Sequence, residues 1–136
     1  LMKRALHLVD LTSGKVIGKL QRKGKLGRFW WSPDSKHLAV IGAEDEHDPR
    51  AGRLWLLDAR GKWVRDLVPK YKGHIFNAVW RDAQTLLYVA SHNERTDLQT
   101  VTVAGKVTGL PALSLTVAVM LEACPRAQES DLASDM

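Results

Sequence analysis

The sequence predicts an all-β fold built from repeated antiparallel sheets, and three observations lead to this prediction. Three segments place a strand, a glycine turn and a second strand in the same order, with the turns at Gly14, Gly61 and Gly105. Two further strand–turn–strand units lie between them, at 29–41 and 78–89. The second strands of these units are apolar without alternation, which is typical of sheets buried on both faces. Their proline, glycine and β-branched content disfavours helix.

The first kind of unit is a β-hairpin that turns at a Gly-Lys pair. The three copies cover 6–16, 54–63 and 98–107, and their glycines are 47 and 44 residues apart. Glycine adopts positive φ without steric cost, as such a turn requires. We therefore expect one structural repeat about every 45 residues along the chain.

The second kind of unit is a pair of strands joined by a tight turn. In the first copy, Pro33 presets φ at the turn and the Asp34 side chain can bond its own backbone. In the second copy, Arg81-Asp82 replaces this sequence, so the turn is degenerate. The tryptophans that precede the two turns, Trp31 and Trp80, are 49 residues apart, which agrees with the hairpin spacing.

Two hairpins per repeat give four antiparallel strands in about 45 residues, which is the size of one blade of a β-propeller. The predicted fold class is therefore an all-β, partial β-propeller, with about two complete four-stranded antiparallel blades and parts of flanking blades. The boundaries assign 1–26 to the C-terminal hairpin of a preceding blade and 27–72 and 73–109 to two blades. Residues 110–136 are expected to start a further blade and then to form an irregular tail.

This repeat count has two consequences. Closed propellers contain about four to eight blades, so we expect the chain to be an arc of a larger protein. Large aromatic side chains fit best between stacked blades, so we expect the tryptophans to be core residues rather than ligand-stacking groups. The tryptophans concerned are Trp30, Trp31, Trp55 and Trp80.

One string of residues carries a family resemblance. The sequence from Trp31 to Ala39, W-S-P-D-S-K-H-L-A, resembles the blade motif W-S-P-D-G-K-x-L-A. That motif recurs in TolB-type propellers and in the N-terminal propellers of the prolyl oligopeptidase family of serine peptidases. Residues 53–58 fit the L-W-x-x-D that follows it there, and 86–107 looks most like the acylaminoacyl-peptidase and dipeptidyl-peptidase branch. Ser35 stands where the motif has glycine, and a left-handed corner there would cost about 1 kcal/mol.

The resemblance implies a serine peptidase whose catalytic triad lies in a separate α/β-hydrolase domain. The propeller would then admit short peptides to that domain and exclude folded proteins. The implied partners are the hydrolase domain of the same polypeptide and its peptide substrates. The alternative is a TolB-like or WD-like scaffold that binds proteins and has no enzymatic role. Gly73-His74 resembles WD-repeat blades, but the Trp-Asp dipeptide of that family is absent from the sequence.

We expect no catalytic residue, cofactor or metal site in this chain. A nucleophile elbow needs glycine two residues before and after the serine, and none of the serines has that setting. Cys124 has no histidine near it in the sequence, and no histidine has the i, i+4 partner of a helical zinc motif. The serines are Ser13, Ser32, Ser35, Ser91, Ser114, Ser130 and Ser134, and the histidines outside the acidic segment are His7, His37, His74 and His92.

The densest polar cluster is an acidic loop between two predicted strands of one blade. Its residues are Glu44, Asp45, Glu46, His47 and Asp48. Oxygen ligands and an imidazole can bind a divalent cation, but the spacing of a calcium loop is missing. A solvated acidic loop is the favoured interpretation. If the loop faced the hydrolase domain or the pore, it would steer the positive N-terminus of a peptide, so it is the candidate substrate-steering site.

The charge distribution argues against other partner classes. Residues 1–28 carry a net charge of +7, but they lack the interleaved aromatic residues on which single-strand binders stack bases. Lysines on edge strands prevent edge-to-edge pairing, so we expect no nucleic-acid partner. The weakly polar run 110–121 is shorter than the roughly 20 residues of a membrane helix, so no membrane association is expected. The single cysteine suits the cytoplasm, with a periplasmic location left open.

Overall fold

The computed structural model describes residues 4–43 and 52–109, which fold entirely as strands and turns. In chain order the strands are β1 (Ala5–Val9), β2 (Val16–Gln21), β3 (Leu26–Trp31), β4 (His37–Gly42), β5 (Arg53–Asp58), β6 (Trp63–Asp66), β7 (His74–Trp80), β8 (Thr85–His92), β9 (Arg95–Thr102) and β10 (Val107–Gly109). The predicted start of a further blade, 110–136, lies outside the described residues.

These strands form three antiparallel sheets in which neighbours along the chain are also neighbours in space. The first sheet is the hairpin β1-β2, the second is β3-β4-β5-β6, and the third is β7-β8-β9-β10. The prediction of an all-β protein with four-stranded antiparallel sheets is therefore confirmed. Each four-stranded sheet is a simple meander, because short turns connect all of its strands except β4 and β5.

The three Gly-Lys hairpins all place their glycine in the left-handed backbone region, although the first turn is one residue longer than the other two. Gly14, Gly61 and Gly105 have φ of 69°, 82° and 92°, which confirms the prediction that these positions need glycine. In the second hairpin the Lys62 N–H donates to Asp58 Oδ1 (2.9 Å), and this hydrogen bond lowers the pKa of Asp58. The third hairpin replaces this aspartate by Thr102, whose Oγ1 accepts from the equivalent backbone N–H (3.1 Å).

The two central strands of the second sheet, β4 and β5, are buried on both faces, as their unbroken apolar sequences predict. Successive side chains of a strand point to opposite faces, so Leu54 and Leu56 pack towards the third sheet. Trp55 and Leu57 pack towards the first sheet. All four side chains are at most 1% exposed. The three sheets therefore lie face to face, with the second sheet in the middle.

The interface between the second and third sheets holds the largest apolar core. Leu54 and Leu56 meet Ile75, Tyr88 and Val101 of the third sheet there. The chain that leaves β6 turns into this interface, which buries Leu67 and Val68 between the sheets. The first strand of the third sheet, β7, lies against β3, β4 and β5. The connection from the last strand of one sheet to the first strand of the next is therefore itself part of the core.

The expectation for the tryptophans holds for three of the four. Trp55 is fully buried, and Trp30 and Trp80 pack against the core, where Trp80 Nε1 donates to the Trp30 carbonyl (3.0 Å). Trp31 contradicts the prediction, since it is 46% exposed. It pairs with Leu38 on the face that turns towards the first sheet. That sheet has only two strands, so it covers β4 and β5 but leaves Phe29 and Trp31 of β3 exposed.

The turn between β3 and β4 is held by side-chain hydrogen bonds. Ser32 Oγ donates to Asp34 Oδ1 (2.6 Å) and accepts from the His37 N–H (3.0 Å). Asp34 also accepts from the Lys36 N–H (3.2 Å), and the pKa of this carboxyl is lowered, chiefly by the Ser32 hydroxyl. The turn between β7 and β8 has an equivalent of the Asp34–Lys36 hydrogen bond, since Asp82 Oδ1 accepts from the Gln84 N–H (2.8 Å).

Ser35 occupies a left-handed backbone conformation with φ of 59°, at the position where the blade motif has glycine. A residue with a Cβ atom destabilises the fold by about 1–2 kcal/mol in this conformation. Glycine removes this strain, but it also makes the unfolded chain more flexible, which offsets part of the gain in stability. We therefore predict that Ser35→Gly raises the free energy of unfolding by up to about 1 kcal/mol. Urea unfolding followed by tryptophan fluorescence measures this change. The control is Ser35→Ala, which keeps the strain, and an equal gain in both variants would contradict the explanation.

Gly42 is the last residue of β4, and a Cβ atom built there would overlap the ring of the buried Trp55. Inserting a methyl group into a packed core forces neighbouring side chains to move, so Gly42→Ala should lower the free energy of unfolding by about 1–3 kcal/mol. The matched control is Gly109→Ala, because nothing lies within 4 Å of a Cβ atom there. Thermal unfolding of both variants tests the packing. Equal stability of the two would contradict it.

Candidate functional site

The candidate substrate-steering residues Glu44, Asp45, Glu46, His47 and Asp48 lie outside the described residues. The structure does describe the chain where this segment returns to the sheets. The Gly52 N–H donates to His74 Nδ1 (2.7 Å), and the Ile75 N–H donates to the Gly52 carbonyl (3.1 Å). The segment therefore rejoins the second sheet beside the first residues of β7.

The described histidines do not form a metal centre. Residues 4–43 and 52–109 contain no group of three His, Cys, Asp or Glu side chains placed to hold a metal ion. His7 is exposed on β1, whereas His37 is partly buried in β4 and its Nδ1 has no hydrogen-bond partner in the described part of the chain. These positions agree with ordinary strand histidines.

A serine lies opposite a histidine in the third sheet, and such a pair could act as a nucleophile and its base. Ser91 in β8 is the register partner of His74 in β7. Since His74 Nδ1 already accepts from the Gly52 N–H, the ring proton lies on Nε2. The nitrogen that could serve as a base is therefore occupied by the backbone, and this pair is not set up as a nucleophile and its base.

A cleft of about 410 Å³ lies at the edge of the interface between the second and third sheets. Two tyrosines from different elements line it: Tyr71 precedes β7, and Tyr88 belongs to β8. Their rings meet edge to face with centroids 6.5 Å apart. Leu67 and Val107 supply apolar walls. We call this site the tyrosine cleft.

The two phenols of the tyrosine cleft are held as hydrogen-bond donors. Tyr71 Oη donates to Asp97 Oδ2 (3.1 Å), and Tyr88 Oη donates to Gln99 Oε1. Burial, together with the Asp97 carboxylate, raises the pKa of Tyr71 to about 12, and burial raises the pKa of Tyr88 further. Both hydroxyls therefore stay protonated at neutral pH with their protons engaged. The cleft can pack against an apolar group, and neither phenol is set up to act as a base at neutral pH.

No motif in the sequence marks the tyrosine cleft. Tyr71 and Asp97 are 26 residues apart, and the link between them depends on how the connection after β6 packs on the third sheet. Tyr88 and Gln99 face each other only because β8 and β9 pair in one register. The sequence does contain one signal for the Tyr88–Gln99 contact. Residues 86–92 and 95–101 form a hairpin, and a two-residue turn at Asn93-Glu94 fixes the register that places these two residues opposite each other.

A second, more polar cleft of about 610 Å³ lies at the β8–β9 turn. Lys72, His74 and His92 line it, together with the turn residues Asn93 and Glu94. Both turn residues have positive φ, 48° and 66°, as in the tight turns that match strand twist. The cleft contains both charge signs and no metal cluster within the described residues, so its chemistry indicates a solvated surface.

The largest exposed aromatic surface lies on β3. We define the aromatic flank as Phe29 and Trp31, which are 51% and 46% exposed. Both side chains lie on the face of the second sheet whose central strands pack against β1-β2. Nearer the opposite edge of the second sheet, the cationic Arg22 lies over the rings of Trp63 in β6 (4.1 Å) and Trp55 in β5 (4.8 Å). An exposed pair of large aromatic side chains at a sheet edge is a typical contact surface.

Comparisons with known proteins do not identify a family. Neither the models of known protein families nor the curated proteins contain a match to this chain. Among the described residues, there is no helix with the length and apolar character needed to cross a membrane.

The environment of the tyrosine cleft predicts how the ionisation of its two phenols depends on pH. The chain contains two tyrosines, and burial raises the pKa of both, so the folded protein should show little tyrosinate absorbance at pH 10, where an exposed phenol is about half ionised. A raised pKa stabilises the fold below the unfolded value of about 10, and this contribution is lost as the pH rises through about 12.

Absorbance titration in buffer and in denaturant measures the two states. We expect the midpoint in denaturant near 10, a higher midpoint in buffer, and half of the native signal for Tyr71→Phe. Overlapping titrations in buffer and denaturant would contradict the described environment of the two phenols.

Proposed function

We propose that this chain is a non-catalytic arc of the β-propeller of a prolyl-oligopeptidase-type serine peptidase. In this role the propeller gates the access of peptides to a hydrolase domain that is not part of these 136 residues. The observation that carries the proposal is the stack of four-stranded meanders in which the β3–β4 turn has the sequence Ser32-Pro33-Asp34-Ser35.

The way in which the sheets follow one another supports a radial arrangement. In a propeller, the chain passes from the outer strand of one blade to the inner strand of the next. Here the chain leaves β6 at one edge of the second sheet and enters β7, which lies against β3 at the opposite edge. The hydrogen bond from Trp80 Nε1 to the Trp30 carbonyl joins these two first strands near their turns.

The aromatic flank supports an incomplete stack. The first sheet resembles the last two strands of the other sheets, because it has the same Gly-Lys hairpin. It lacks counterparts of β3 and β4 within the described residues, and Phe29 and Trp31 are exposed where those strands would lie. A neighbouring pair of strands would bury this apolar surface, which favours a larger assembly of sheets.

The chemistry of this chain favours a gating role, with catalysis assigned to the separate hydrolase domain. The sequence has no G-x-S-x-G setting, and His74 Nδ1 already accepts from the Gly52 N–H, so this nitrogen is not free to act as a base towards Ser91. In this role the stack of sheets acts on a peptide by shape and charge. Gating is therefore the contribution that such an arc makes to a peptidase: a ring of sheets admits a thin, extended chain and excludes a folded one.

The alternative is a TolB-like or WD-like propeller that acts as a scaffold for protein partners. The aromatic flank is the observation that favours it, because exposed aromatic residues on a rigid sheet are typical of protein-binding surfaces. Both proposals share the stacked sheets. They differ in whether a hydrolase domain accompanies the propeller.

The complete open reading frame that contains these codons separates the two proposals. The peptidase proposal predicts a downstream α/β-hydrolase domain of roughly 250 residues with a G-x-S-x-G motif. The encoded protein should then react with a fluorophosphonate probe, and replacement of the motif serine by alanine should abolish labelling. Further propeller repeats ending in a stop codon, with no hydrolase motif in either direction, would contradict the peptidase and favour the scaffold.

A further inference from the structure

The outer face of the third sheet is buried, although it turns away from the rest of the stack. This face consists of Val79, Leu87, Val89 and Leu98, with Asn77 at its edge. Val89 and Leu98 are only 1% and 3% exposed. The described strands that pack closely on the third sheet all belong to the second sheet, which lies against the opposite face. A valine on an open sheet face stays partly accessible to water, so something covers this one.

A polar group on the same face lacks a partner. Asn77 is 1% exposed, and its Oδ1 accepts from the Ala78 N–H (3.0 Å). Its Nδ2 is buried and makes no hydrogen bond with the described residues. Buried amide donors are nearly always satisfied, so the covering element should bring an acceptor such as a backbone carbonyl.

The chain itself repeats the sequence that covers the equivalent face of the second sheet. After β6 the residues Leu67-Val68-Pro69 enter the interface between the second and third sheets. After β10 the sequence continues as Leu110-Pro111. Leu67 follows the hairpin glycine Gly61 by six residues, and Leu110 follows Gly105 by five. The first strand of the third sheet contains Ala78-Val79-Trp80, and the later sequence contains Ala118-Val119-Met120.

We propose that residues 110–121 of this chain cover the outer face of the third sheet. Leu110 would take the place that Leu67 has in the preceding interface, and 116–121 would lie against the third sheet as β7 lies against the second. The length and composition fit, because the segment starts at the end of the edge strand β10 and contains no charged residue. Its backbone carbonyls supply the acceptor for Asn77. This inference does not depend on a hydrolase domain.

The repeat also predicts one particular contact. Trp80 of β7 reaches Trp30 of β3 across the interface between the second and third sheets. Since Trp80 corresponds to Met120, and Trp30 to Val79, Met120 should lie next to Val79. Cysteines at these two positions would then be close enough for a disulfide bond.

Disulfide trapping tests this contact in the full chain of 136 residues. The single native cysteine is removed by Cys124→Ser, and Val79→Cys is combined with Met120→Cys. The control combines Met120→Cys with Val9→Cys, which is 47% exposed on the first sheet at the other end of the stack. Under mild oxidation of dilute protein we expect the 79–120 pair to form an intramolecular disulfide at least about tenfold faster than the control pair.

Three results would overturn the proposal: equal rates for the two pairs, no intramolecular disulfide in either, or disulfides only between two molecules. The last result would assign the face to a second copy of the chain. If the cysteine variants do not fold, hydrogen exchange of the unmodified chain decides. Protection of amides 116–121 that is independent of protein concentration supports the proposal, and rapid exchange throughout 110–121 overturns it.

Discussion

The middle position of the second sheet is the constraint on which the rest of the structure depends. β4 and β5 present apolar side chains on both faces, and a face of leucine and tryptophan is not stable in water. The first sheet buries Trp55 and Leu57, and the third sheet buries Leu54 and Leu56. The turns, the crossing connection after β6 and the tight approach of Gly42 to Trp55 all follow from stacking sheets on both sides.

The same constraint explains where the candidate sites lie. Where two sheets pack fully, side chains fill the interface, and where one sheet ends, an edge or a flank stays open. The tyrosine cleft lies at such an edge, and the aromatic flank lies where the two-stranded first sheet is too narrow for β3. In both places the structure offers apolar surface, and in the tyrosine cleft the two hydroxyl donors are already engaged. This is the chemistry of a contact surface.

Much of this fold could be predicted from local sequence. Gly61 and Gly105 mark hairpins because their turns need positive φ, and Ser32 to Ser35 mark a tight turn because their side chains bond the backbone. The exposure of Trp31 could not be predicted, because it depends on the width of a neighbouring sheet. The contact of Tyr71 with Asp97 could not be predicted from the sequence either, because it depends on how the connection after β6 packs on the third sheet.

Substitution of two adjacent leucines in β5 tests the central claim most directly. Leu56 and Leu57 point to opposite faces of the second sheet, and both are at most 1% exposed. If both faces are packed, Leu56→Ala and Leu57→Ala should each lower the free energy of unfolding by about 2–5 kcal/mol, measured by urea unfolding. Val64→Ala in the neighbouring strand, where the side chain is 39% exposed, should cost much less. A large loss for only one of the two leucines would mean that the second sheet has a single buried face, and would contradict the account.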